Sequence, residues 1–158
     1  MSVKIITASF IGIQGVIVSV EVDITRGLPA FNIVGLPDAS IKESKERVRS
    51  AIMNSGFDFP VARITVSLAP ANIKKEGSLF DLPIAIGILL ITNQIRKFDA
   101  NKYLFMGELS LSGELKETYG TLPIVLEGIK NNIKNFIMPL NNAEECAVVK
   151  NSNIYAFS

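Results

Sequence analysis

The chain has 158 residues, of which 48% are hydrophobic and 20% charged, so its composition is that of one folded domain. It contains no histidine and a single cysteine, Cys146, which excludes histidine-based catalytic triads, imidazole metal ligands and an intrachain disulfide framework. The 16 basic and 15 acidic side chains leave a formal net charge of +1, without the basic excess typical of nucleic-acid-binding domains.

Alternating apolar residues predict three β-strands at the start of the chain. Val3 to Ile11 and Val16 to Ile24 are two such runs, and Gly12 and Gly15 between them indicate a tight turn. We therefore expect a β-hairpin, followed by a short third strand from Ala30 to Val34.

A helix is predicted from Asp38 to Ser55, because apolar residues recur there at helical spacing. Ser40 and Glu43 fit the S-x-x-E pattern of a capping box at its start, and Gly56 follows as a terminating residue. A strand from Ile64 to Leu68 comes next.

Helices and strands alternate in the second half of the chain. In chain order, the pattern predicts a buried apolar helix over Phe80–Thr92, a strand over Tyr103–Met106, a glycine-rich turn connection over Gly107–Gly120, a helix over Leu122–Asn131, a strand over Phe136–Met138, a helix from Asn141 or Asn142, and a strand over Ile154–Phe157. The opening hairpin excludes a purely parallel sheet. The predicted fold class is α/β, as an α+β two-layer domain with a mixed β-sheet and packed helices.

The N-terminus lacks the basic region, apolar run and small-residue cleavage site of a signal peptide. The most apolar stretch, Leu82 to Ile91, has ten residues, whereas a membrane-spanning helix needs about 20. Together with the single cysteine, these features predict a cytoplasmic protein with no membrane partner.

Several common catalytic and cofactor motifs are missing from the sequence. There is no G-x-x-x-x-G-K-[ST] nucleotide loop, no G-x-G-x-x-G dinucleotide motif and no C-x-x-C pair. Motif reasoning therefore predicts no cofactor-binding or metal-binding residues in this chain.

Two features could carry chemistry without histidine. Lys74 and Lys75 lie in a loop just before a predicted helix, which suits an anion or a DNA phosphate. Ser78 in the same loop could form a Ser–Lys dyad with a later lysine such as Lys116. The alternative is a solvated lysine pair beside a helix-capping serine.

Several sequence blocks, in a fixed order, carry a family resemblance that covers nearly the whole chain. They are Phe31–Asp38, Glu43–Arg49, Asn54–Phe57, Leu68–Asn72, Lys75–Gly77, Phe80–Ala85 and Gly107–Gly113. These blocks resemble the N-terminal domain of magnesium-chelatase-like AAA+ ATPases of the ComM/YifB type. Two departures are Ser67, where the family commonly has asparagine, and Ser112, where it commonly has aspartate.

The resemblance implies a fold like the proteolytic domain of Lon proteases, in the ribosomal protein S5 domain 2-like class. It implies that residues 1–158 are one N-terminal domain and that an AAA+ ATPase module, which binds ATP and Mg²⁺, lies outside them. It further implies a hexameric protein that acts on DNA, by helicase or branch-migration activity linked to competence and recombination. This domain would then contribute subunit contacts, DNA contacts or both.

The resemblance to Lon proteases can be tested at the catalytic positions. The nucleophilic serine position falls on Leu79, with Ser78 one place early, and the lysine position falls on Ile124. The resemblance thus implies a protease-like fold that is not catalytic. A residual Ser–Lys peptidase using Ser78 and a magnesium chelatase subunit are the alternatives.

If this domain contacts DNA, its own basic residues suggest two sets of candidates. The first candidates are Lys74 and Lys75, with Ser78 beside them. The second, weaker set consists of basic residues of the first helix: Lys42, Lys45, Arg47 and Arg49.

Overall fold

The computed structural model describes residues 1–158 and contains nine strands and four α-helices. The strands are β1 (Ser2–Ile11), β2 (Gln14–Thr25), β3 (Ala30–Val34), β4 (Arg63–Ala69), β5 (Tyr103–Phe105), β6 (Glu108–Leu109), β7 (Leu115–Lys116), β8 (Asn135–Pro139) and β9 (Asn153–Phe157). The helices are α1 (Ala39–Asn54), α2 (Asp81–Ile91), α3 (Thr121–Lys130) and α4 (Leu140–Cys146). Each predicted strand and helix is therefore present, within a few residues of its expected bounds.

Seven strands form one mixed sheet in the order β3-β4-β2-β1-β5-β8-β9. β1 and β2 pair antiparallel as the predicted hairpin, β4 pairs antiparallel with β2, and the other neighbours pair in parallel. β6 and β7 form a separate two-stranded hairpin inside the glycine-rich connection. The mixed α+β sheet is confirmed.

α1 and α2 lie on one face of the sheet, whereas α3 and α4 lie on the other face, toward the opposite end. An added Cβ at Gly87 of α2 would lie 3.7 Å from Ile5, whereas one at Gly120, just before α3, would overlap the ring of Phe10. Ile5 and Phe10 point to opposite faces because side chains alternate along a strand. α1 packs on α2, and α4 packs beside α3. Each half of the sheet therefore carries one layer of helices.

The apolar core lies between these layers. α2 is almost wholly buried, because it packs on β1 and β2 on one side and on α1 on the other. Its apolar composition follows from this enclosure. No helix in the structure combines the length and hydropathy that crossing a bilayer requires.

The turn that follows β3 approaches β4 closely at Gly35. Its φ is +105°, and an added Cβ would overlap the carbonyl oxygen of Leu68. Gly27 also has a positive φ, +143°, but an added Cβ there would meet open space.

Replacing each of these two glycines by alanine separates the effect of backbone strain from the effect of steric overlap with Leu68. We expect Gly35→Ala to lower the free energy of unfolding by at least about 2 kcal/mol more than Gly27→Ala. Both changes introduce backbone strain, but only the new methyl group at position 35 overlaps a carbonyl oxygen. Urea denaturation followed by circular dichroism measures both values. Equal losses would show that β4 can move away from the turn at little cost.

Candidate nucleic-acid interface

The predicted anion-binding loop lies between β4 and α2. Lys74 is exposed and Ser78 is half-buried at the start of a short 3₁₀ helix, Ser78–Phe80. Lys75, by contrast, has no exposed surface. The structure therefore brings the three candidates into one loop but presents only Lys74 and Ser78 to solvent.

The ammonium group of Lys75 is held by main-chain carbonyls. Its Nζ donates to the carbonyl oxygen of Gly35 at 2.7 Å and to that of Pro70. Its backbone N–H donates to the carbonyl of Leu36 at 3.0 Å, and its own carbonyl accepts from the N–H of Asp38 at 3.1 Å. Burial lowers the pKa of Lys75. The prediction that Lys75 is available to an anion is therefore wrong, because its charge is used inside the fold.

The carboxylate of Asp38 reinforces this junction. One oxygen accepts the N–H of Ile41 at 2.8 Å, and the other accepts the N–H of Gly77 at 3.1 Å. Asp38 is thus the N-cap of α1, and it also fixes the loop that contains Lys75. The predicted capping box at Ser40 and Glu43 is wrong, because a residue two positions earlier satisfies the helix N-terminus.

A shallow cleft of about 430 Å³ lies over this junction. Its lining includes Lys74 together with the carboxylates of Asp38 and Glu76. Lys75 also lines the cleft, but main-chain carbonyls hold its ammonium group, so Lys74 beside two carboxylates attracts a phosphate only weakly. The loop alone is a poor anion site.

Replacing Lys75 and its neighbour with methionine tests the internal role of the ammonium group. We expect Lys75→Met to lower the free energy of unfolding by about 1–3 kcal/mol, because two buried carbonyl groups lose their donor. Lys74→Met is the matched control and should change it by less than about 0.5 kcal/mol, because that side chain is exposed. Denaturant titration of both variants gives the answer. A Lys75→Met protein as stable as the control would contradict the assigned role.

The two positions at which the family resemblance places a Lon-type dyad lie in the core. Leu79 is 4% exposed and Ile124 is fully buried. Ser78, the neighbouring hydroxyl, makes no hydrogen bond to any lysine, and Lys116 is an exposed residue of β7. The structure therefore does not bring the proposed serine and lysine together.

Arg47, a member of the second basic set, is paired inside the protein. Its Nε and Nη2 donate to the two carboxylate oxygens of Asp81 at 2.6 and 3.1 Å, and Nη2 also donates to the carbonyl of Ser40 at 2.8 Å. Asp81 has no exposed side-chain surface, and its carboxylate also accepts the N–H of Leu109 at 3.0 Å. The prediction that Arg47 could contact DNA is therefore wrong.

The surroundings of this pair affect both pKa values. Burial raises the pKa of the Asp81 carboxyl, while the hydrogen bonds from Arg47 and from the Leu109 N–H oppose that rise. The hydrogen bond to Asp81 raises the pKa of Arg47. Sequence reasoning missed the pair, although a lone carboxylate at the start of an apolar helix is a recognisable sign of a buried partner.

The remaining members of the second basic set have mixed environments. Lys42 and Arg49 are exposed and Lys45 is half-buried. The guanidinium carbon of Arg49 lies 5.1 Å from the centre of the Phe59 ring. These residues leave α1 with a solvated face of both signs rather than a basic groove.

A double-mutant comparison tests the buried pair. We expect Asp81→Leu to lower the free energy of unfolding by about 3–5 kcal/mol, because Arg47 keeps its charge and loses its partner. Arg47→Met combined with Asp81→Leu should recover most of this loss, since no unpaired charge remains.

The control for that comparison is Glu43→Gln. Glu43 is an exposed second partner of Arg47, 3.5 Å away. This change should cost less than about 1 kcal/mol. Thermal and urea unfolding of the variants provide the values, and a double variant no more stable than Asp81→Leu would contradict the charge argument.

Comparison with known proteins places the chain in a family by its sequence. The family model described as "Subunit ChlI of Mg-chelatase" matches residues 20–142. The chain therefore belongs to the ChlI family of magnesium-chelatase-related proteins.

Individual relatives narrow this assignment. The chain is 42% identical to the competence protein ComM of Haemophilus influenzae over 156 residues, 98% of this chain and 30% of ComM. It is 40% identical to YifB of Escherichia coli over 150 residues, 94% of this chain and 29% of YifB. A Mycobacterium tuberculosis protein is 39% identical over 138 residues, 87% of this chain and 27% of that protein. The chain thus spans about 30% of the length of these relatives, and the predicted resemblance to the ComM/YifB type is confirmed.

Proposed function

We propose that this chain is the N-terminal, non-catalytic domain of an ATP-driven protein that acts on DNA, and that it supplies subunit contacts, DNA contacts or both. The observation that carries the proposal is the apolar, buried character of Leu79 and Ile124. A domain with the predicted Lon-like fold would place its nucleophile and its lysine at these positions, and neither side chain can transfer a proton or attack a carbonyl.

The use of charged residues inside the fold supports the same proposal. Buried charged groups are the usual candidates for catalysis, and in this domain they are Lys75, Asp81 and its partner Arg47. Each of them is hydrogen-bonded to neighbours within the domain. A charged group held in this way stabilises the fold and is already engaged by the protein's own polar groups. Contact through surface residues is the function that this arrangement favours.

ATP and Mg²⁺ do not fit the residues of this chain. The sequence has no phosphate-binding G-x-x-x-x-G-K-[ST] loop. The structure also has no group of three or more His, Cys, Asp or Glu side chains arranged for a metal ion. We therefore assign no step of ATP hydrolysis or metal insertion to these residues, and nucleotide binding belongs in the proposal to a separate ATPase module.

The relatives support a role on DNA. One of them is named a competence protein, and each is about three times as long as this chain, which leaves room for an ATPase module. The proposal assigns helicase or branch-migration activity, and hexamer formation, to a protein of the length of these relatives rather than to this domain alone. Lys74 and Ser78 remain candidate contacts within this domain.

Binding of DNA by the 158-residue chain tests the proposal. We expect fluorescence anisotropy with labelled single-stranded and duplex DNA to show binding that weakens between about 50 and 200 mM salt, because phosphate contacts release counterions. Lys74→Ala, measured alongside, reports whether the loop after β4 takes part. Absence of binding even at low salt would contradict the DNA role and leave subunit contact.

A protease assay tests the non-catalytic part separately. We expect no cleavage of labelled casein by the purified chain. Cleavage that Ser78→Ala abolishes would overturn the proposal in favour of a Ser–Lys peptidase.

A further inference from the structure

The half of the sheet formed by β5, β8 and β9 has one face without a helix. α3 and α4 cover the face that carries Leu104 and Phe136. The alternate residues of these strands point to the other side, where no helix packs. Tyr103, Tyr155 and Phe157 lie on this uncovered side.

Aromatic rings form a continuous cluster on the uncovered side. The ring of Tyr103 lies 5.7 Å from that of Phe98 and 6.4 Å from that of Tyr155, between ring centres. Phe98 is 38% exposed, Tyr155 45% and Phe157 55%. Phe98, Tyr103 and Tyr155 form this cluster, and Phe157 lies two residues beyond Tyr155 on the same side of β9. We call these four residues the aromatic face. A contiguous patch of half-exposed rings is unusual on a solvated surface and indicates a binding site.

Positive charges border the aromatic face along one edge of the sheet. β5, β8 and β9 run parallel, so their N-terminal ends lie side by side, with Tyr103, Asn135 and Asn153 in register. Exposed basic residues lie in the segments that precede these strands, and we call them the basic edge: Arg96, Lys97 and Lys102 before β5, Lys134 before β8 and Lys150 before β9.

The basic edge contains little compensating charge. The loops that precede β5, β8 and β9 hold one acidic residue, Asp99, whose carboxylate is 3.8 Å from the Lys102 ammonium. The edge therefore has a local excess of positive charge that the net charge of +1 conceals.

Negative charge is concentrated at the opposite end of the same strands. A cleft of about 790 Å³ there is lined by four glutamates, Glu108, Glu117, Glu144 and Glu145, and by a single cation, Lys116. A polyanion is repelled from that end and attracted to the basic edge.

We infer that the aromatic face and the basic edge together bind single-stranded DNA, with bases stacked on the rings and phosphates along the lysines. This inference rests on the proposed role on DNA and specifies its location and strand form. Rings on an open sheet can stack only on bases that are unpaired and exposed, whereas duplex DNA keeps its bases stacked inside. Aromatic rings beside a row of cations are the arrangement that single strands require.

Tyrosine fluorescence provides a direct probe of stacking. The chain has no tryptophan and three tyrosines, of which Tyr103 and Tyr155 belong to the aromatic face. The third, Tyr119, is 94% exposed and lines the acidic cleft. We expect an oligothymidylate of about 16 nucleotides to quench this fluorescence on binding to the 158-residue chain.

Matched variants locate the binding. Tyr155→Ala should weaken oligothymidylate binding at least about fivefold, because it removes one stacking ring, and Tyr155→Phe should retain it. The double variant Lys97→Gln/Lys134→Gln should lower the slope of log affinity against log salt by about 1.4, as expected for two lost phosphate contacts. The controls at the acidic end, Tyr119→Ala and Lys116→Gln, should bind as the unmodified protein does. Circular dichroism and melting temperature establish that each variant is folded.

Four outcomes decide between explanations. Loss of single-strand binding in Tyr155→Ala, with both controls intact, supports the inference. DNA binding that is unchanged in folded variants of the aromatic face and the basic edge overturns the inference and leaves the proposed DNA role standing. Binding to the annealed duplex but not to the single strand also overturns it. Absence of binding to any DNA overturns the DNA role and the inference with it.

A contact between copies is the competing use of the aromatic face. Sedimentation of the unmodified protein and of Tyr155→Ala distinguishes it. An assembly that Tyr155→Ala dissociates, without any change in DNA binding, would overturn the inference in favour of a second copy of this chain.

Discussion

The buried carboxylate of Asp81 is the contact on which the arrangement of three elements depends. It begins α2, accepts hydrogen bonds from Arg47 of α1 and accepts another from the backbone of Leu109 in β6. A carboxylate without exposed surface is tolerated only when its partners are in place, so the two helices and the small hairpin cannot move independently. Lys75 has the equivalent role at the other junction, where its ammonium group joins the turns that follow β3 and β4.

The local elements could be predicted from the sequence because their periodicity is strong. The alternation in β1 and β2 and the uniformly apolar α2 lead directly to the observed hairpin and buried helix. The order of the strands and the side on which each helix packs could not be predicted, because they depend on partners distant in sequence. The start of α1 shows the same limit: one carboxylate oxygen of Asp38 caps the helix at Ile41, and the other accepts the N–H of Gly77, far along the chain.

The candidate site was only partly predictable, for a related reason. Lys74 and Lys75 are adjacent and chemically identical, yet one is exposed and the other buried, because successive residues of an extended loop point in opposite directions. Lys75 and Asp81 both belong to blocks that carry the family resemblance. Each makes buried polar contacts with residues of other such blocks: Lys75 with Gly35 and Pro70, and Asp81 with Arg47 and Leu109. The resemblance in sequence therefore reports how this end of the domain is held together. The register of β5, β8 and β9 brings Tyr103 and Tyr155 together, and Phe98 from the preceding segment packs against Tyr103. No sequence motif marks these rings.

The separation of charge along these strands has a physical consequence for the motion of the domain. With cations at one end and glutamates at the other, the protein is an electric dipole whose total charge is close to zero. Near a polyanion, such a dipole experiences a torque that turns its positive end toward the phosphates before any contact forms.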